Sequence, residues 1–73
     1  MIKYVINEKV YLMHEKEFKK FMKKQGSMLN KNMIFCLEKD NVAQAVKENF
    51  TSRKSMLESI LAYNAKGYKV YYV

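Results

Sequence analysis

From Ile2 to Ile6 the chain alternates. Ile2, Tyr4 and Ile6 interleave with Lys3, Val5 and Asn7, the period of a strand with one wetter face. Val10-Tyr11-Leu12-Met13 is a second β-prone run, and the polar Asn7-Glu8-Lys9 between the two can turn. A β-hairpin over residues 2–13 is therefore expected, with one uninterrupted strand as the alternative. At Glu15 the period changes. Phe18, Phe21 and Met22 recur at helical spacing, which predicts a helix over about 15–25. Glu15 and Glu17 in its first turn and Lys23 and Lys24 in its last complement the helix dipole. Gly26 then offers a left-handed end.

After a polar loop over 27–32, Met33-Ile34-Phe35-Cys36-Leu37 is a continuous apolar run of five. By its length it reads as a buried central strand, although periodicity alone does not separate strand from helix here. Asp40 or Asn41 can cap a further helix carrying Val42, Ala45, Val46 and Phe50. Thr51-Ser52 mark a break and a fresh cap, and Ser55-x-x-Glu58 forms a capping box. The helix that follows carries Met56, Leu57, Ile60 and Leu61 and ends at Gly67. Residues 41–66 are thus expected as two helices, with one bent helix as the alternative. Tyr68 to Val73, aromatic or β-branched apart from Lys69, predict a terminal strand. The expectation is a small single α+β domain over residues 1–73. Its order would be β-β-α-β-α-α-β, with the helices on one face of a mixed sheet.

Seventy-three residues bury one modest core. Such a core stabilises by only about 3–5 kcal/mol, so small domains call for a further staple. Cys36 is the only cysteine, so no disulfide within the chain can serve, and a homodimer is the expected substitute. A lone thiol also fits a reducing setting, which makes a cytoplasmic location the expectation. Tyr4 to Ile6 is too short for the apolar region of a signal peptide, and no stretch reaches the roughly 18 apolar residues of a membrane span. A soluble chain without a membrane partner is expected.

Charge sharpens the picture. The chain carries a formal net charge of +7, of which +5 falls in residues 1–37 and +2 in residues 38–73. The predicted first helix concentrates it, with Lys16, Lys19, Lys20, Lys23 and Lys24 opposite the apolar Phe18, Phe21 and Met22. Aligned ammonium groups of this kind suit phosphates, where affinity comes largely from counterion release. Lys31 adds to the ridge from the loop. Arg53 and Lys54 form a second cluster with Ser52 and Ser55 at a helix start that favours anions. Arg53 is the only arginine and offers the two-pronged contact that lysine lacks. In the last strand, if Lys69 marks the wet side, Tyr71 is the exposed ring on which a base could stack. Against these stands the plainer reading of a solvated charged surface, with tyrosines at the core edge and lysine favoured by an AT-rich genome.

Catalysis has little to work with. His14 is the only histidine, and Cys36 lies within the most apolar run, where a thiol is a core residue with a raised pKa. No metal-ligand spacing or phosphate loop occurs, so a non-enzymatic chain without a cofactor is expected. The first reading is a small basic protein that binds nucleic acid, DNA or RNA, through the lysine-rich helix. The alternative is an inhibitor or adaptor of phage or plasmid type that covers an acidic surface of a host protein. Residues 10–38 also resemble, in part, a ribbon-helix-helix repressor: the strand Val10–Met13, a helix, Gly26, then Leu29-Asn30-Lys31 leading into Met33, Ile34 and Leu37. That resemblance implies a dimer inserting the strand into the major groove, with Lys9, Tyr11 and Met13 facing bases. It also requires residues 29–38 to be helical.

Overall fold

A computed structural model describes residues 1–73 as five strands and two helices. In chain order these are β1 (Ile2–Ile6), β2 (Lys9–Met13), α1 (Glu15–Ser27), β3 (Met33–Lys39), β4 (Val42–Asn49), α2 (Arg53–Ala65) and β5 (Lys69–Tyr72). The strands form one mixed sheet in the order β2-β1-β4-β3-β5. Only β1 and β4 run parallel; every other pair is antiparallel. The α+β class and mixed sheet agree with the sequence pattern, as do the first hairpin, α1, β3, α2 and β5.

The expected helix over residues 41–50 is instead β4, so the order is β-β-α-β-β-α-β. The cause sits at Asp40 and Asn41, with φ of +54° and +62°. Short polar side chains tolerate this left-handed region, and two such residues in succession make the tight turn whose twist matches a hairpin. Asp40 and Asn41 therefore turn β3 back on itself rather than capping a helix. Asn7 and Glu8, with φ of +47° and +68°, make the corresponding turn between β1 and β2. The helix-prone Ala43, Gln44, Ala45, Lys47 and Glu48 are held extended because β4 pairs on both sides, with β1 and with β3.

Opposed residues in neighbouring strands share a face, so rows can be followed across the sheet. One row runs Lys69, Glu38, Ala43, Tyr4, Tyr11; the next runs Val70, Leu37, Gln44, Val5, Val10. The first row's face carries a core of Ile2, Tyr4, Phe35, Cys36 and Ala43 closed by Phe18 and Met22 of α1. The second row's face carries Ile34 and Leu37 closed by Met56 and Ile60 of α2. The two helices thus cover opposite faces, not one face as the pattern suggested. A bulge in β3 between Ile34 and Cys36 turns Phe35 and Cys36 together toward α1. Because residues 33–39 are a strand, the ribbon-helix-helix arrangement does not hold.

Two helix ends also differ from expectation. Gly26 lies inside α1 rather than past its end; a Cβ there would stand 3.3 Å from the Phe35 ring, so its bareness admits that ring. Of the two caps offered for α2, Ser52 serves and the Ser55 box does not: the Ser52 hydroxyl oxygen accepts the Ser55 N–H at 3.2 Å. Gly67 follows the end of α2, as expected, and does so with φ of +91°, in the left-handed region.

Candidate nucleic-acid interface

α1 is oriented by its apolar stripe. Phe18 is wholly buried and Met22 nearly so, and Phe18 meets the rings of Tyr4 and Tyr71 edge-on at 5.9 and 5.7 Å. With that side fixed, Lys16, Lys19, Lys20, Lys23 and Lys24 are all exposed. Only Lys19 has a carboxylate partner, Glu15 at 3.3 Å one turn earlier. At these exposures such a pair contributes little, and it leaves four ammonium groups free of any ion pair. The ridge expected from sequence is therefore present and almost unneutralised.

At about 100° per residue, Lys19 and Lys23 lie on the flank of α1 nearest β5, and Lys16 and Lys20 point outward. Lys19, Lys23 and Met22 form one wall of a shallow groove of about 380 Å³ whose other wall is Phe35, Tyr71 and Val73. Lys31 is exposed in the loop after α1. Its neighbour Asn32 donates its N–H to the Val73 carbonyl at 2.8 Å, which ties that loop to the end of β5.

Arg53 and Lys54 are exposed as the first residues of α2, on the sheet's other face. The Ser52 and Ser55 hydroxyls are engaged with each other and with the helix start. The seat imagined there is thus already used as a cap, and only the two basic side chains remain free. Arg53 lies 5.8 Å from the centre of the Tyr72 ring. Positive charge consequently flanks the β5 edge on both faces, with Lys19 and Lys23 on one side and Arg53 on the other.

Tyr71 is not the free ring expected. It packs against Phe18 and Phe35, and its hydroxyl donates to Glu38 Oε1 at 2.8 Å. Burial and then the Glu38 carboxylate push its pKa well above the usual tyrosine value. Lys69 is exposed, with its ammonium 5.3 Å from the centre of that ring, so an exposed lysine on this side of β5 does not make Tyr71 a free ring. The exposed ring of β5 is Tyr72, at 42 % exposure. Alternation had placed Tyr72 opposite Tyr71 in the sequence; its pairing with Arg53 arises only when α2 docks.

The two candidate reactive groups take structural places. Cys36 is wholly buried, and burial, then Glu38, pushes its thiol up to about 12. His14 is the exposed residue preceding α1 and makes no side-chain capping bond. No helix is long and apolar enough to cross a membrane. Comparison with known proteins finds no matching family model, no matching curated sequence and no matching solved structure.

Proposed function

We propose that this chain is a non-enzymatic basic protein of the cytoplasm that binds nucleic acid through phosphate contacts from α1. The observation behind the reading is that α1 exposes five lysines and neutralises one, on a chain with net charge +7. Lys16, Lys19, Lys20, Lys23 and Lys24 act as the phosphate ridge, with Lys31 and Lys69 at its margins. Arg53 and Lys54 extend it past the β5 edge, and Tyr72 supplies a ring on which an unpaired base can stack.

The test is fluorescence anisotropy with random duplex DNA, single-stranded DNA and RNA, titrated from low to physiological salt. Binding weakens steeply with salt. The double variant Lys20→Glu with Lys24→Glu loses binding to all sequences alike, and its salt slope falls by about 1 for each lysine that contacted a phosphate. Tyr72→Ala costs single-stranded ligands about 1–3 kcal/mol per stacked base and leaves duplex affinity nearly unchanged. Absence of binding at low salt, or an unimpaired double variant, rejects the reading and shifts the search to an acidic protein surface.

A further inference from the structure

The two edges of the sheet are unequal. β5 carries charge along its length, Lys69 at its start and Arg53 over Tyr72 near its end. β2 has no such cover. Val10, Tyr11 and Leu12 are 56 %, 44 % and 64 % exposed, and after Lys9 the strand has no charged residue. Natural sheets protect a free edge with charge, proline or a bulge, and β2 has only Lys9, at its first position.

Its backbone is equally open. In a two-residue hairpin the residues flanking the turn, here Ile6 and Lys9, form the first hydrogen-bonded pair. Alternation then gives Tyr4 with Tyr11 and Ile2 with Met13 as the next bonded pairs. Lys3 agrees with this parity, because it turns its N–H away from β2, to the Asn41 carbonyl at 3.0 Å. Val10 and Leu12 therefore point their N–H and C=O groups outward from the sheet. On the face covered elsewhere by α2, their side chains also lie beyond that helix, beside Val5.

We propose that this edge takes the β2 strand of a second copy, antiparallel, to form a two-fold dimer with one continuous ten-stranded sheet. The strand is complementary to itself about Tyr11. Centring the two-fold there sets Val10 opposite Leu12 of the other copy and Leu12 opposite its Val10, so the outward backbone groups satisfy one another in four hydrogen bonds. The same register places apolar Val10 against Leu12 on one face, stacks the two Tyr11 rings on the other, and sets Lys9 beside Met13 rather than beside a second lysine. It also brings Glu8 opposite His14, an acid against the chain's only imidazole. A five-residue strand offers less than the roughly 800 Å² per partner of a standard interface, so the dimer is a weak one, forming in the micromolar range or above.

The two-fold lies perpendicular to the sheet, so both α1 helices stand on the same side. On the phosphate-contact reading, the dimer presents two lysine ridges to one nucleic acid and gains by avidity. The dimer is tested without nucleic acid, so its failure leaves that reading standing.

Sedimentation velocity of the whole chain, from micromolar to millimolar, reads the association directly. Val10→Pro removes an N–H that β1 does not use, which an edge strand tolerates, and it weakens the dimer by about tenfold or more. Leu12→Lys does the same by placing charge in the seam, and circular-dichroism melts verify that each variant folds. Tyr11→Cys cross-links to itself under mild oxidation, since a directly opposed pair of this type has Cα atoms about 4.5 Å apart, within disulfide range. Val10→Cys and Leu12→Cys do not, because neither meets its own copy. A wild-type chain that stays monomeric to millimolar concentration overturns the proposal. So does a dimer that survives both Val10→Pro and Leu12→Lys, or self-cross-linking through Val10→Cys in place of Tyr11→Cys.

Discussion

The core that α1 closes has seven buried residues, its own Phe18 and Met22 included, and a chain of edge-on aromatic rings; the core that α2 closes has four, its own Met56 and Ile60 included. The ends of the helices reverse that order. α2 begins at Ser52, whose hydroxyl caps it, whereas the residue before α1, His14, offers no side-chain bond to its first turn. One helix is held by what it buries and the other depends more on how it starts. The difference teaches where sequence can vary freely. Because the Phe18 stripe alone orients α1, its outer positions can be filled with lysine at little structural cost.

The largest expected effect breaks the α1 side. Phe18→Ala costs about 3–5 kcal/mol, comparable to the whole stability of a domain this size, and leaves the chain mostly unfolded at room temperature by circular dichroism. Met56→Ala, in the smaller core, costs about 2–5 kcal/mol; urea titration should place it below Phe18→Ala.

Raised pH strikes the same side next. Burial lifts Tyr4 from 10.0 and Cys36 from 9.0, each to about 12, and lifts Tyr71 as well. These groups hold their protons in the folded chain at pH values where the unfolded chain has released them. Their contribution is complete below about pH 9 and is lost as pH rises toward 12. Thermal melts should show a midpoint that is flat up to about pH 9 and then falls, and replacing Cys36 by alanine should make the fall shallower. A midpoint that rises with pH in this range contradicts the assignment.

The smallest effects sharpen the contrast at the caps. Ser52→Ala removes the α2 cap and costs about 1 kcal/mol; His14→Ser supplies α1 with one and gains up to about the same amount. Equal and opposite shifts in urea midpoint would confirm that only α2 uses its cap.

Much of this fold is legible because period and place coincide. Phe18 and Met22 announce the buried side of α1, and the five apolar residues from Met33 give β3 its interior position. β4 is illegible to propensity, since Ala43, Gln44, Ala45, Lys47 and Glu48 all suit a helix and only pairing with β1 and β3 makes them a strand. The turn at Asp40-Asn41 was the available signal, because two consecutive residues that tolerate positive φ favour a hairpin over a cap. The lysine ridge could be read directly, since exposure of α1 follows from its apolar stripe. Tyr72 could not be separated from Tyr71, because alternation sorts residues into two faces without saying which helix covers which. The sheet carries a helix on each, and the rings divide between them.

Cys36 sits wholly buried in the middle strands, with its thiolate suppressed until strongly alkaline pH. The chain therefore carries its own clock. A thiol reagent can react only when the sheet parts, so the labelling rate of this single sulfur reports how often the α1 face opens. Compared between dilute and concentrated protein, that clock also registers whether a neighbour at the far edge slows the opening.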